Sequence, residues 1–242
     1  MRRFWILALC LGALFFFPQG RAEDETKAWC EQLGRRLHSV AAESCRAWAF
    51  VPGTERSVGK HPLMRIDFPP PVPAREVARI TRQSGRSAPR PVRIFLIGGI
   101  HGDELTSVSI VFRWMDWIAE PQANKYHWRI APLANPDGLL ARPARRTNGH
   151  GVDLNRNFPT PDWSRDALSY WSKRTDRDPR RYPGTGPMSE PETRWLTQEI
   201  RDFRPDVIVS VHAPYGILDY DGPMQKPRRF GHLNLSQLGV YP

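Results

Sequence analysis

Three parts of the chain have the pattern of helices. Apolar side chains recur at helical spacing in residues 23–50 and again from about Glu104 to Ala119. Ser189 and Glu192 have the spacing of a capping box, in which a serine caps a helix and a glutamate three residues on reaches back to it. This third helix is expected to end near Phe203.

Short apolar runs that alternate with these helices predict strands. Residues 92–97, 128–133 and 206–211 are rich in apolar side chains, as is typical of buried strands. The pattern of residues 57–67 predicts a pair of strands. Because strands alternate with helices, we expect a three-layer α/β sandwich around a mixed central sheet.

Composition supports a folded chain with a basic surface. Hydrophobic residues make up 40% of the sequence, and the 24 prolines cluster in connecting segments such as Pro69–Pro73. The formal net charge is +10, but the basic residues are scattered and no basic helix carries interleaved aromatic residues. This distribution argues against nucleic-acid binding and favours small anionic ligands.

The N-terminus has the pattern of a secretory signal peptide. Arg2 and Arg3 precede an apolar stretch from Phe4 to Phe17, and small residues follow at Gly20 and Ala22. The stretch is shorter than the roughly 20 residues that span a bilayer, so we expect cleavage after Ala22 and a periplasmic or secreted protein without a stable membrane anchor. A retained N-terminal anchor is the alternative.

Two cysteines, Cys30 and Cys45, remain after this segment in a predicted helix pair, and export favours a disulfide between them. The expected organisation is a signal peptide at 1–22, an N-terminal helical segment at 23–56 and one catalytic domain at 57–242.

Three residues have the chemistry of a catalytic metal site. His101 and Glu104 lie just past the predicted strand at 92–97, and His212 follows the predicted strand at 206–211. Ligands gather at the carboxyl ends of strands in open α/β sheets. Two imidazoles and one carboxylate leave a fourth position for water, which is the arrangement of catalytic zinc.

Four sequence blocks resemble the M14 zinc carboxypeptidases and, within that family, the murein peptide amidase branch. They occur in the family's order: Gly98-Gly99-Ile100-His101-Gly102-Asp103-Glu104, Asn135-Pro136-Asp137-Gly138, Arg146-Thr147-Asn148 with Gly151-Val152-Asp153-Leu154-Asn155-Arg156-Asn157-Phe158, and Ser210-Val211-His212. The resemblance implies a zinc carboxypeptidase-like fold and one zinc ion per chain, bound by His101, Glu104 and His212.

The same resemblance implies roles for polar residues around the ion. Asn155 and Arg156 would bind the substrate carboxylate, and Arg146 would polarise the scissile carbonyl. Asp103 is either a partner of a ligand imidazole or an exposed turn acid. Asp153 is expected to orient its loop through backbone hydrogen bonds. For Asp137, a plain turn role and a functional role stay open.

One family feature is missing. The resemblance implies a glutamate, well downstream of the last ligand, that activates the metal-bound water, but the 30 residues after His212 contain no glutamate. Asp219 and Asp221 do not lie where that base would. We therefore expect a catalytic domain truncated at its C-terminus, with substitution by one of these aspartates or a binding-only protein as alternatives.

Together these observations predict a zinc-dependent peptidase or amidase that acts on small, anionic, cell-wall-derived peptides. A deacylase like the aspartoacylase and succinylglutamate desuccinylase group is the first alternative, because those proteins share a similar metal turn. An inactive, zinc-dependent peptide-binding protein is the second. The sequence leaves the scissile bond and the oligomeric state undetermined.

Overall fold

The computed structural model describes residues 19–70, 90–121, 125–214, 229–230 and 233–234. Most of the expected signal peptide, most of the Pro69–Pro73 connecting segment, and the two aspartates at 219 and 221 lie outside these residues. No helix in the described ranges is long and apolar enough to cross a membrane.

Five strands form the central sheet. They are β1 (Val51–Arg56), β2 (Pro62–Phe68), β3 (Arg93–Ile97), β4 (His127–Ala131) and β5 (Val207–Ser210). The strand order is β1-β2-β4-β3-β5. β2 pairs antiparallel with β1 and β4, whereas β3 pairs parallel with β4 and β5. The predicted mixed sheet is confirmed.

Helices cover both faces of this sheet. They are α1 (Gln19–Arg36), α2 (Ala42–Arg46), α3 (Leu105–Ile118), α4 (Pro136–Leu140), α5 (Trp163–Arg174) and α6 (Pro191–Phe203). Short 3-10 turns occur at Leu154–Arg156 and Pro179–Arg181, and a small strand pair joins Arg229–Phe230 to Leu233–Asn234.

The alternation of side chains along β3 divides the core into two layers. Leu96 packs on one face in a cluster that includes Trp29 of α1 and Met115 of α3. Phe95 points to the other face, in a cluster with Trp195 of α6. Successive strand residues point to opposite faces, so one short strand holds both helical layers. The predicted three-layer sandwich is confirmed.

The N-terminal segment shares the first of these cores. Leu33 and Leu37 of α1 are buried in the cluster formed with the sheet. A disulfide joins Cys30 to Cys45, with 5.6 Å between their Cα atoms, and ties α1 to α2. The predicted pairing of the two cysteines is therefore present.

Two local predictions are wrong and two element boundaries move. The strand at 206–211 is not buried: β5 lies at the edge of the described sheet, and Ile208 is 47% exposed. Residues 23–50 form the expected helix pair, α1 and α2, but α1 begins earlier, at Gln19, and the strand pair starts at Val51.

The capping box is the second wrong prediction. Residue Glu190, not Ser189, precedes the first turn of α6, and its side chain makes no capping hydrogen bond. Pro191 occupies the first helical position, where its fixed φ suits a helix start. Glu192 instead turns inward to accept a hydrogen bond from Asn148, 44 residues away.

Candidate metal centre

The turn after β3 carries the first two predicted ligands. Gly99 has a φ of +58°, a left-handed conformation that side chains rarely adopt. A Cβ at Gly102 would lie 2.2 Å from the carbonyl carbon of Gly138, so only glycine lets this turn approach α4. The glycines thereby place His101 and Glu104 at the carboxyl end of the sheet.

Three predicted ligands from two distant segments meet at one point. The Nδ1 atoms of His101 and His212 are 3.1 Å apart. Oε1 of Glu104 lies 2.9 Å from His101 Nδ1, and Oε2 of Glu104 lies 3.1 Å from His212 Nδ1. His101 is buried, and His212 is the most exposed of the three.

These separations fit a tetrahedral ion. Donors that lie 2.0–2.1 Å from a tetrahedral zinc are about 3.3 Å from one another. The three donor atoms lie within 4.8 Å of one another, and this is the one group found among the described residues that could hold a metal ion. Two imidazole nitrogens and a carboxylate oxygen also have the ligand chemistry that zinc selects.

A buried aspartate fixes the orientation of the first imidazole. Asp153 is 0% exposed, and its Oδ1 lies 3.1 Å from His101 Nε2. A carboxylate on the outer nitrogen sets the tautomer of a ligand histidine and turns the other nitrogen toward the metal. Burial alone would raise the pKa of Asp153, but the hydrogen bond from His101 and the charges of nearby cations lower it.

Asp153 is therefore the hydrogen-bond partner of the His101 imidazole, a role that the sequence had left open to Asp103. Asp103 pairs instead with Arg180, at 2.7 Å, on the outside of the turn. The expected loop-orienting role of Asp153 is also present, because its Oδ1 accepts from the backbone N–H of Asn155. The Asp-Leu-Asn-Arg segment was visible in the sequence, but nothing in it indicated that the aspartate reaches a histidine 52 residues earlier.

Burial and hydrogen bonding act in opposite directions on the pKa values of Glu104 and His101. Burial would raise the pKa of Glu104, but hydrogen bonds from the two histidines outweigh burial and hold its pKa well below the usual range. For His101, burial lowers the pKa, and the hydrogen bonds to Asp153 and Glu104 outweigh burial and raise it. A proton and a metal ion therefore compete for Nδ1 of His101.

Arg146 lies directly beside the ligands. Its Nε and Nη2 atoms donate to Asp153 Oδ2 at 3.0 and 2.9 Å, and its Nη1 lies 3.7 Å from Glu104 Oε1. The carbonyl oxygen of Arg146 accepts from the side chain of Asn135. Hence the structure places the predicted catalytic arginine next to the metal ligands.

The loop Asn135-Pro136-Asp137-Gly138 is a structural brace. Asn135 caps α4 by accepting from the backbone N–H of Gly138 at 2.8 Å. Asp137 accepts from Ser57 Oγ and from the backbone N–H of Gly59, which ties the turn between β1 and β2 to the loop. These contacts favour the turn role that the sequence left open.

Asn155 and Arg156 lie on the 3-10 turn that follows Asp153. Both are partly buried, and the guanidinium of Arg156 donates to the carbonyl oxygen of Asn155 at 3.3 Å. The positive charge of Arg156 contributes to the lowered pKa of Asp153. The two predicted substrate-binding residues are thus held on the segment that also supports the metal ligand.

Comparisons with known proteins agree with this geometry. Residues 74–222 match the model of the zinc carboxypeptidase family, Peptidase M14. Murein peptide amidase A of Escherichia coli K12 is 36% identical over 176 residues, which is 71% of this chain and 63% of that protein. Murein peptide amidase A of Vibrio campbellii is 34% identical over 132 residues, 52% of this chain and 50% of that protein.

The chain spans less than two thirds of the length of these two relatives. Its fold is also similar to that of bovine thrombin-activatable fibrinolysis inhibitor in complex with tick carboxypeptidase inhibitor. That comparison has a TM-score of 0.54 at 18% identity and covers 87% of this chain and 66% of the other. The sheet and its helical layers therefore have solved counterparts.

Proposed function

The chain belongs to the zinc carboxypeptidase family, and we propose that it acts as a zinc-dependent peptidase or amidase on small anionic peptides. The observation that carries this proposal is the convergence of His101, Glu104 and His212 beside Arg146. With zinc bound, such a site would place a metal ion and a fixed cation together, and both stabilise the negative charge that develops on a carbonyl oxygen during peptide hydrolysis.

We assign one zinc ion per chain to the three ligands. When bound, zinc lowers the pKa of a water molecule and polarises a carbonyl group. Asp153 holds His101 in the tautomer that presents Nδ1, and it also holds the guanidinium of Arg146 in place. Among the described residues we assign no general base, because Glu104 and Asp153 are both committed to the histidines.

Arg146 and Arg156 would bind and orient the substrate. A planar guanidinium offers paired N–H donors to a carboxylate or to the developing negative charge of a carbonyl oxygen. Asn155 adds an amide next to Arg156. Two cations beside the metal centre favour peptides that carry more than one carboxylate, and the positive net charge acts in the same direction.

Peptides of the cell wall are the proposed substrate class. Support comes from the two murein peptide amidases among the relatives and from the signal-peptide pattern at residues 1–22, which favours the periplasm or secretion. Membership of the zinc carboxypeptidase family favours peptide hydrolysis over the deacylation of N-acyl amino acids.

Zinc content and hydrolysis test the proposal together. The full chain is loaded with zinc, the metal is counted, and cleavage of a γ-D-glutamyl-diaminopimelate tripeptide is followed by chromatography. We expect one zinc per chain and loss of both zinc and turnover in His101→Ala. His38→Ala is the matched control, because His38 is an exposed histidine of the N-terminal segment.

The result separates three outcomes. Metal binding that persists in His101→Ala, or no metal in the wild-type chain, would refute the assigned centre. Zinc without cleavage would refute peptidase activity of this chain and would favour either truncation before the general base or the binding-only alternative. Cleavage of an N-acyl amino acid in place of the tripeptide would favour the deacylase.

A further inference from the structure

A second set of buried polar residues lies behind the substrate-binding segment. Residues 148–157 carry Asp153 and Arg156, and both ends of the segment are asparagines that are 0% exposed, Asn148 and Asn157. Both asparagines contact the first turn of α6. The metal ligands are on other segments, so these contacts are separate from the metal centre.

Asn148 uses all four hydrogen-bonding positions of its amide. Its Oδ1 accepts from the backbone N–H groups of His150 and Val152, at 3.1 and 3.0 Å. Its Nδ2 donates to Glu190 Oε2 at 2.8 Å and to Glu192 Oε2 at 3.0 Å. An amide can make four such bonds, so any displacement of this residue breaks at least one of them.

Asn157 anchors the other end in the same way. Its Oδ1 accepts from Thr193 Oγ1 at 2.6 Å and from the backbone N–H of Glu190 at 3.2 Å. Its Nδ2 donates to the carbonyl oxygens of Pro183 and Gly186, at 2.7 and 2.8 Å. The segment is therefore attached at two points to one helix terminus.

Stability alone does not account for the two buried glutamates. Glu192 is 0% exposed, and its carboxylate accepts hydrogen bonds from the side-chain amide of Asn148 and from the backbone N–H of Val58. Burial is the main reason that its pKa is raised. Removing carboxylates from water costs free energy that apolar residues of similar size would not require. A positional role explains why such costly groups contact this segment.

We propose that Glu190 and Glu192 are positioning residues that hold segment 148–157, through Asn148, so that Arg156 and Asp153 face the metal ligands. The proposal rests on the substrate-binding role proposed above for Arg156. We call the hydrogen bonds from Asn148 to these two glutamates the clamp. The proposal predicts that loosening the clamp weakens the binding of a carboxylate ligand and leaves the zinc stoichiometry unchanged.

Two substitutions at one position separate geometry from charge. Glu192→Leu removes the acceptor for Asn148 at similar size. Glu192→Gln keeps one acceptor oxygen, which can face Asn148 only if its NH2 group faces the backbone N–H of Val58, so it should fall between the wild type and Glu192→Leu. Glu199→Gln is the matched control: Glu199 is a buried carboxylate of the same helix, but it pairs with Arg129, away from the segment. Thr193→Val removes the hydroxyl that contacts Asn157 Oδ1 and the carbonyl oxygen of Glu190, and it replaces Glu192→Leu if that variant does not fold.

Two measurements on the zinc-loaded full chain test the clamp. Hydrogen exchange followed by mass spectrometry should show at least about tenfold faster exchange of amides 148–157 in Glu192→Leu, with the amides of α3 unchanged. Calorimetric titration with the γ-D-glutamyl-diaminopimelate tripeptide should show at least about tenfold weaker binding at one zinc per chain.

The outcomes distinguish this proposal from the function on which it rests. If the wild-type chain does not bind the tripeptide, the proposed function fails, and hydrogen exchange alone decides the clamp. Exchange that stays at the wild-type rate in folded Glu192→Leu overturns the clamp. So does exchange that rises equally throughout the chain, because that result describes a residue that only stabilises the fold.

Discussion

The hydrogen bond between Asp153 and His101 predicts how zinc affinity responds to a single substitution. In Asp153→Asn the side chain keeps its shape but loses its charge and one of its two acceptor oxygens. The remaining oxygen can face either His101 or Arg146, and the new NH2 group then faces a donor on the other side. One of the two contacts becomes repulsive in a site that is 0% exposed.

The expected loss of zinc affinity follows from this geometry. Loss of a side chain that hydrogen-bonds to a metal ligand typically lowers the metal affinity about tenfold to a hundredfold. That range corresponds to about 1.4–2.7 kcal/mol. Because the Oδ1 to Nε2 distance is 3.1 Å and the contact excludes water, we expect a value in the upper half of the range.

Competition with a chromogenic chelator at fixed pH and salt gives the zinc affinity, and urea unfolding of the same samples shows that each variant is folded. Asp103→Asn is the control, because Asp103 is two residues from His101 but pairs with the exposed Arg180. Surface pairs contribute little, so its affinity should change by less than about twofold. A folded Asp153→Asn protein with wild-type affinity, or a larger loss in Asp103→Asn, would refute the reasoning.

Three further predictions concern stability. Replacing Cys30 and Cys45 by alanine should lower the free energy of unfolding by about 3 kcal/mol, since the bond closes a loop with a sequence separation of 15; denaturation with and without reductant measures this. Asn135→Ala should cost about 1–3 kcal/mol in urea unfolding, because the buried backbone N–H of Gly138 loses its acceptor. Burial would raise the pKa of Glu190, but the hydrogen bonds it accepts lower the pKa below its ordinary 4.5. Its contribution to stability is therefore complete above about pH 4.5 and is lost as the pH falls through the lower folded-state pKa, so unfolding measured from about pH 6 to pH 3 should depend less on pH in Glu190→Gln.

The convergence of His101, Glu104 and His212 could be predicted from the sequence because its signals are local. An apolar run that ends in two glycines identifies β3 and places His101 and Glu104 at its carboxyl end. His212 follows a second such run. Strand ends of a parallel pair meet at one edge, so the order of elements was sufficient to bring these residues together.

The supporting contacts could not be predicted, because they depend on which segments become neighbours. Asp153 reaches His101 across 52 residues, and Glu192 reaches Asn148 across 44. Nothing in the local pattern of Ser189 to Glu192 distinguishes a cap from a buried anchor. The exposure of β5 likewise depends on the strands beside it, not on its own apolar composition.

The position of the ligands along the chain also makes the ion a cross-link. Two ligands precede β4 and the third follows β5, so an ion bound to all three closes a loop whose ends, His101 and His212, are 111 residues apart. Joining ends so far apart removes much of the freedom of the unfolded chain. An ion bound by all three ligands would therefore stabilise the docking of β5 against β3, and a chelator should weaken that docking.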